Sequence, residues 1–240
     1  THGKQEFWLR ESITSVFNQT YKNIELIIVE DGGENAKQFV ESIANRNPSV
    51  KLRYLSLGKV GRSAAGNHGL EQARGDLVMF LDSDDYLFSE HVEVLVDELD
   101  MSPDVGVAYT LAWTVPTKNM ANACVTRKYK ELQYYVGRLN EAIAFDFDRL
   151  KEFNILPIQA ALFRREVYER CGGFDVDLDL LEDWNLWLRY AHFFKFKMIP
   201  KLTSAFRTPA DVRCKQDRDE GMRSARIAAL SSYEKHVARQ

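Results

Sequence analysis

No stretch of this 240-residue chain offers the roughly 20 consecutive apolar residues that a helix needs to cross a bilayer, and its longest apolar runs, such as LVMFL at 77–81, are of strand length. Cysteine is scarce. Cys124, Cys171 and Cys214 are odd in number and lack CxxC spacing, which argues against a disulfide framework or a zinc ribbon and fits a reducing, cytosolic compartment. Charge of one sign is missing too: 32 Lys and Arg against 35 Asp and Glu leave a net charge of −3, so there is no basic field of the kind that draws in nucleic acid, and no nucleic-acid partner is expected. No repeat, low-complexity tract or Pro/Gly/Ser linker marks a domain boundary. What remains, 45% hydrophobic and 12% aromatic, suffices for a sizeable core.

Apolar periodicity then sets a rhythm. Leu9, Ile13, Val16 and Phe17 share one helical face, and the β-branched run 24–29 follows as a buried strand. The alternation returns with a helix carrying Phe39, Val40 and Ile43, a strand at 50–57, a helix at 63–73, the strand 77–81, a helix from Ser89 to Asp100 that Ser89 could cap, and a strand at 105–111. Strands alternating with helices predict an α/β fold with a mostly parallel sheet. Ligands of such sheets bind beyond the carboxyl ends of the strands.

Two acidic clusters fall there. Glu30 and Asp31 follow one strand, and Asp82, Ser83, Asp84 and Asp85 follow another. Crowded carboxylates raise one another's pKa unless a cation or a donor lies between them, and all-oxygen sites suit Mg²⁺ or Mn²⁺ holding substrate phosphates. The competing reading is two polar turns in which Asp forms turns and caps helices. Further on, Trp184, Trp187, Leu188 and Ala191 recur at helical spacing, so 182–194 reads as a helix buried by its aromatic face, with Glu182 and Asp183 in its first turn, where the macrodipole favours acids whatever the function.

The runs SITSVFNQTYKNIELIIVEDGG, GRSAAGNHGLEQARGDLVMFLDSDD and GGFDVDLDLLEDWNLWLRY together resemble the consecutive signatures of glycosyltransferase family 2, over about residues 1–210. The resemblance implies a GT-A fold, a Rossmann-like nucleotide-binding sheet with flanking helices. It also implies inverting, metal-dependent transfer from a UDP- or GDP-linked sugar to a glycan or glycolipid acceptor, in surface polysaccharide assembly. In that pattern Asp31 receives the imide N–H of the base, with Glu30 beside it, Asp82-Ser83-Asp84 is the DxD motif with Asp82 near the ribose and the metal and Asp84 on the metal, and Asp183 is the catalytic base. Asp85 assists at the DxD turn. Arg62 and Asn67 match an Arg and an Asn of the donor side, Thr1 and His2 fall beside the base, and Glu182 and Trp184 face the acceptor. Mn²⁺ or Mg²⁺ is the implied cofactor.

Two departures stand out. The family opens with an apolar strand, whereas this sequence begins at Thr1-His2-Gly3-Lys4, where that strand should have ended: either the numbering starts late or the sequence is a fragment, and an interior member of the sheet is missing only if that strand is absent from the molecule. Phe206-Arg207-Thr208-Pro209 offers no His where some relatives supply one to the metal. A haloacid-dehalogenase-like phosphohydrolase also carries a DxD after a buried strand, but needs Thr or Val where this chain has Tyr86. A binding-only relative is the third reading, opposed by acids at 31, 82, 84 and 183. Residues 112–157 lack clean periodicity and should shape the acceptor side, while 158–171 reads as a strand entering a helix. Residues 211–240 read as a helical extension with Met222, Ala225, Ala229 and Leu230 on one face, to be packed on the core, on another copy or, as a peripheral contact at the inner face of the membrane, on lipid.

Overall fold

The computed structural model describes residues 2–45, 50–117, 145–209 and 212–239. Helix α1 (His2–Phe17) is followed by β1 (Glu25–Asp31), α2 (Lys37–Ala44), β2 (Lys51–Leu57), α3 (Arg62–Gln72), β3 (Leu77–Met79), β4 (Tyr86–Leu87), α4 (His91–Met101) and β5 (Val105–Thr117). After it come α5 (Phe147–Glu152), a 3-10 turn (Ile158–Ala160), β6 (Ala161–Arg164), α6 (Arg165–Cys171), α7 (Glu182–Phe193), β7 (Lys195–Pro209) and α8 (Val212–Val237).

The α/β alternation is present, but the sheet is mixed where mostly parallel pairing was expected. Strands β1 and β2 form a parallel pair, and five others run in the order β3-β6-β5-β7-β4, in which only β5 and β7 are parallel. The cause is β6, which runs against both β5 and β3, together with the two-residue β4 lying antiparallel on β7. Among the described residues β1 and β3 share no ladder, yet Leu26 of β1 joins Leu77 and Met79 of β3 in one apolar cluster. Among the described residues the strands thus fall into two ladders joined by apolar packing.

Strand β7 has no counterpart in the periodicity reading. Its pattern is broken by Pro200 and Lys201, which stand opposite no residue of β5: Thr110 pairs with Ile199 and Leu111 with Leu202. A proline with no N–H to donate sits at such a bulge without loss to the ladder. Nor does Ser89 cap α4. Glu90 precedes that helix without a side-chain cap, while the Ser89 carbonyl accepts from Thr20 N at 2.8 Å.

Helix α7 lies at the centre of the main core. Trp184, Trp187, Leu188 and Tyr190 are at most 1% exposed, and Trp187 and Tyr190 meet Phe163 of β6 edge to face. Burying a side chain of this size contributes about 1.5–3 kcal/mol, which fixes the helix and whatever its first turn carries. Helix α8 rests on α7, where Asn185 Nδ2 donates to the Ala229 carbonyl at 2.9 Å and His192 meets Tyr233 at 3.0 Å. Ala229 is fully buried on the face that the sequence singles out. Among the described residues no helix is long and apolar enough to cross a membrane.

Candidate active site

Beyond β3 the chain passes Phe80 and Leu81 and turns sharply, Asp85 N donating to the Asp82 carbonyl at 3.1 Å while Ser12 of α1 holds the same carbonyl at 3.2 Å. The turn brings carboxylate oxygens of Asp82, Asp84 and Asp85 within 4.8 Å of one another, with Asp84 and Ser83 exposed and Asp85 buried. An all-oxygen set of this size fits a hard divalent cation. Burial pushes Asp85 up to about 8, and the neighbouring charges of Asp82 and Asp84 add to the rise against the Arg207 N–H that it accepts at 2.9 Å. Asp82 is likewise raised, first by burial, with Arg62 opposing.

Arg62 ties this turn to the third motif. Gly61, at φ +93°, ends the loop before α3 in a conformation that a side chain would strain, and the next residue sends its guanidinium into the acids. One nitrogen reaches Asp82 at 2.6 Å and Nε reaches Glu182 at 3.0 Å. Glu182 is 5% exposed, and its pKa is raised by burial more than Arg62 lowers it. Just before it, Leu181 has φ +62°, the one positive φ of a non-glycine among the described residues. Strain of this kind persists only where the surroundings impose it. Here it starts α7 with Glu182 paired to Arg62. Asp183 is raised by burial, opposed by the Trp184 N–H, by Arg62 and by Asn154, whose amide donates to Oδ2 at 2.8 Å.

At the end of β1 the Asp31 carboxylate accepts from Lys59 Nζ at 2.5 Å and from the backbone of Val60 at 2.6 Å and Gly61 at 3.2 Å, and these contacts, Lys59 first, hold it below the usual carboxylate range. A base imide N–H would have to compete with those donors. Glu30 departs from the expected donor role. Burial alone would raise it, but Tyr54, Ala36 and Asn35 all donate to it and hold it low, so it ties the turn after β1 together. Asn67 departs likewise, accepting from Phe174 N at 2.7 Å and donating to the Phe174 carbonyl at 2.9 Å, so that both ends of its amide hold the turn before α7.

The acceptor-side expectation for Trp184 is corrected. It is 1% exposed and its indole donates to the Leu150 carbonyl at 2.6 Å, because the aromatic stripe of α7 points into the core. Glu182, its partner in that expectation, is buried and pairs with the exposed Arg62. Thr1 lies outside the described residues, and His2 enters only as the first residue of α1.

Two residues were not legible as part of the site. Arg207 donates to the Asp84 carbonyl and to Glu11, and lies 4.0 Å from the ring centroid of Trp8 and 5.0 Å from that of Tyr86, so it fastens α1 to the acidic turn. In the sequence its Phe-Arg pair marks only the absence of a His. Asn154 sits between α5 and the 3-10 turn, in sequence without period or motif.

Residues 1–172 match the profile of the family described as Glycosyl transferase family 2. Among curated proteins, an uncharacterized glycosyltransferase of Bacillus subtilis strain 168, YwdF, is 27% identical over 193 residues, covering 80% of this chain and 66% of that protein. One of Haemophilus influenzae is 39% identical over 89 residues, covering 37% of this chain and 35% of that protein. The chain thus spans two thirds or less of the length of these relatives. Among solved structures, S. aureus TarS 1-349 in complex with UDP-GlcNAc superposes with a TM-score of 0.65 at 17% identity, over 88% of this chain and 57% of that one. The mannosyltransferase PcManGT from Pyrobaculum calidifontis, in complex with GDP-Man and Mn²⁺, gives 0.64 at 16% identity, over 97% and 61%. At these identities the likeness is one of fold.

Proposed function

Because the chain belongs to glycosyl transferase family 2, we propose that it transfers a sugar from a UDP- or GDP-linked donor to a hydroxyl of a glycan or glycolipid acceptor, with inversion at the anomeric carbon. One observation carries the reading: Arg62 draws Asp82 and Glu182 into a single ion-paired cluster beside Asp183, so the acids of two motifs distant in sequence meet at one end of the sheet. The complexes of TarS with UDP-GlcNAc and of PcManGT with GDP-Man and Mn²⁺ support a nucleotide-sugar donor and a divalent cation.

Asp31 receives the imide N–H of the base once Lys59 and the Val60 N–H give way, a role that an acceptor-only carboxylate can fill. Arg62 turns from the acids to the diphosphate, where its planar fork suits phosphate oxygens. Asp84 and Asp82 would hold Mn²⁺ or Mg²⁺, which would supply positive charge to neutralise the departing diphosphate. Asp183 accepts the proton of the acceptor hydroxyl as its oxygen bonds to the anomeric carbon, and the bond from that carbon to the diphosphate oxygen breaks. A single displacement of this kind inverts the centre. Residues 1–210 form the catalytic unit in this reading, with 211–240 as its helical extension, and surface polysaccharide assembly is the setting that the family suggests.

Two isosteric variants test it. Asp84→Asn should abolish Mn²⁺-dependent binding of UDP or GDP in calorimetry. Asp183→Asn should keep that binding and lose roughly 10²- to 10⁴-fold in nucleotide release from UDP-GlcNAc or GDP-mannose, the scale of a lost general base. Unchanged turnover in Asp183→Asn would return that residue to a helix-terminal acid. Metal-dependent binding that survives in Asp84→Asn would remove the metal assignment.

A further inference from the structure

The segment that carries Asn154 is stapled to α7 on both sides of it. Trp184 Nε1 donates to the Leu150 carbonyl at 2.6 Å, Trp187 Nε1 donates to the Leu156 carbonyl at 3.1 Å, and Arg226 of α8 adds a bond to the Lys151 carbonyl at 3.1 Å. Within this clamp the orientation of the Asn154 amide is decided by its own chain. The Leu156 N–H can only donate, so the side-chain oxygen turns to it, at 3.1 Å, and Nδ2 is left facing Asp183 Oδ2 at 2.8 Å. Asp183 Oδ1 meanwhile accepts from Trp184 N at 2.7 Å. Among the described residues each carboxylate oxygen has one hydrogen-bond partner and keeps a lone pair.

Building on the reading of Asp183 as the base, we propose that Asn154 is its positioning residue: the amide stops the carboxylate from rotating and holds it as an acceptor, with the remaining lone pairs turned to the incoming hydroxyl. Among the described residues the charged groups that act on Asp183 are Arg62 from α3, Asp82 from the turn after β3 and Glu182 on its own helix. Asn154 differs from all of them in being neutral and hydrogen-bonded to the carboxylate from a separate element. It can therefore set orientation without adding charge where a negatively charged donor arrives.

The experiment needs no identified acceptor. The ¹³C carboxyl resonance of Asp183, assigned by its loss in Asp183→Asn, is titrated in the parent protein, in Asn154→Ala and in Asn154→Asp, the last of which keeps an oxygen for the Leu156 N–H. Removing a donor to the charged form raises the midpoint in Asn154→Ala, and a facing carboxylate raises it further in Asn154→Asp. Nucleotide release from UDP-GlcNAc or GDP-mannose should fall about 10- to 100-fold in Asn154→Ala, the scale of a misplaced catalytic group, with Mn²⁺-dependent UDP or GDP binding unchanged. A midpoint that stays put in both variants overturns the proposal. Early melting of both variants does so too, since Asn154 would then be an anchor of the fold. A rate in Asp183→Asn equal to the parent's refutes the base itself and is distinguishable, because the titration does not depend on turnover.

Discussion

Replacing Arg62 by Gln removes the cation that, among the described residues, pairs with both Asp82 and Glu182, and the cost follows from how unequally these groups are buried. The Arg62 side chain is 60% exposed, that of Asp82 36%, and that of Glu182 only 6%. Exposed pairs contribute about 0–1 kcal/mol, whereas stranding one charge of a buried pair costs about 3–5 kcal/mol. With one end in water and one enclosed, the discounted cost is about 2 kcal/mol, or about 4–8 °C in melting temperature for a chain of this length. The loss depends on pH in a definite sense. The folded pKa of Glu182 already lies above its ordinary value through burial, with Arg62 restraining the rise, so the variant raises it further. Between the ordinary and the raised value the folded state holds a proton that the unfolded state has released, so stability falls as pH rises through that window. Below it both states are protonated and the penalty disappears. Melting curves of parent and Arg62→Gln should thus be furthest apart above that window and converge below it. A gap that is absent, or equally wide at both ends, refutes the ion-pair cluster as described.

The contacts of Asn67 and Trp184 allow two simpler tests. Asn67→Ala loses both bonds to Phe174 and should cost about 1–3 kcal/mol of stability in urea unfolding while leaving Mn²⁺-dependent UDP or GDP affinity unchanged; a selective loss of nucleotide affinity would restore it to the donor side. Trp184→Phe keeps the buried ring and deletes the N–H that holds the Leu150 carbonyl, so thermal melting should show a loss of about 1–3 kcal/mol with no change in the acceptor dependence of turnover, and an altered acceptor preference would contradict its burial.

The alternation of helix and strand, the aromatic stripe of α7 and the three acidic motifs could be read from the sequence because each rests on local periodicity or on a few neighbouring residues. Apolar spacing shows which face of a helix is buried, and a carboxylate after a buried strand must emerge at the strand end. Strand β7 was not, since Pro200 and Lys201 hide its pattern and only pairing with β5 accommodates them. The roles of Glu30, Asn67 and Trp184 were also beyond the sequence. A polar or aromatic residue beside a motif looks the same whether it faces a ligand or the backbone of a distant turn, and only the packed chain decides which partner it meets. Arg62, Arg207 and Asn154 show the converse. Each acts across an interval of sequence that no period spans, and its role exists only because the core around α7 brings the acidic turn, the start of α3 and the segment before the 3-10 turn together at one end of the sheet.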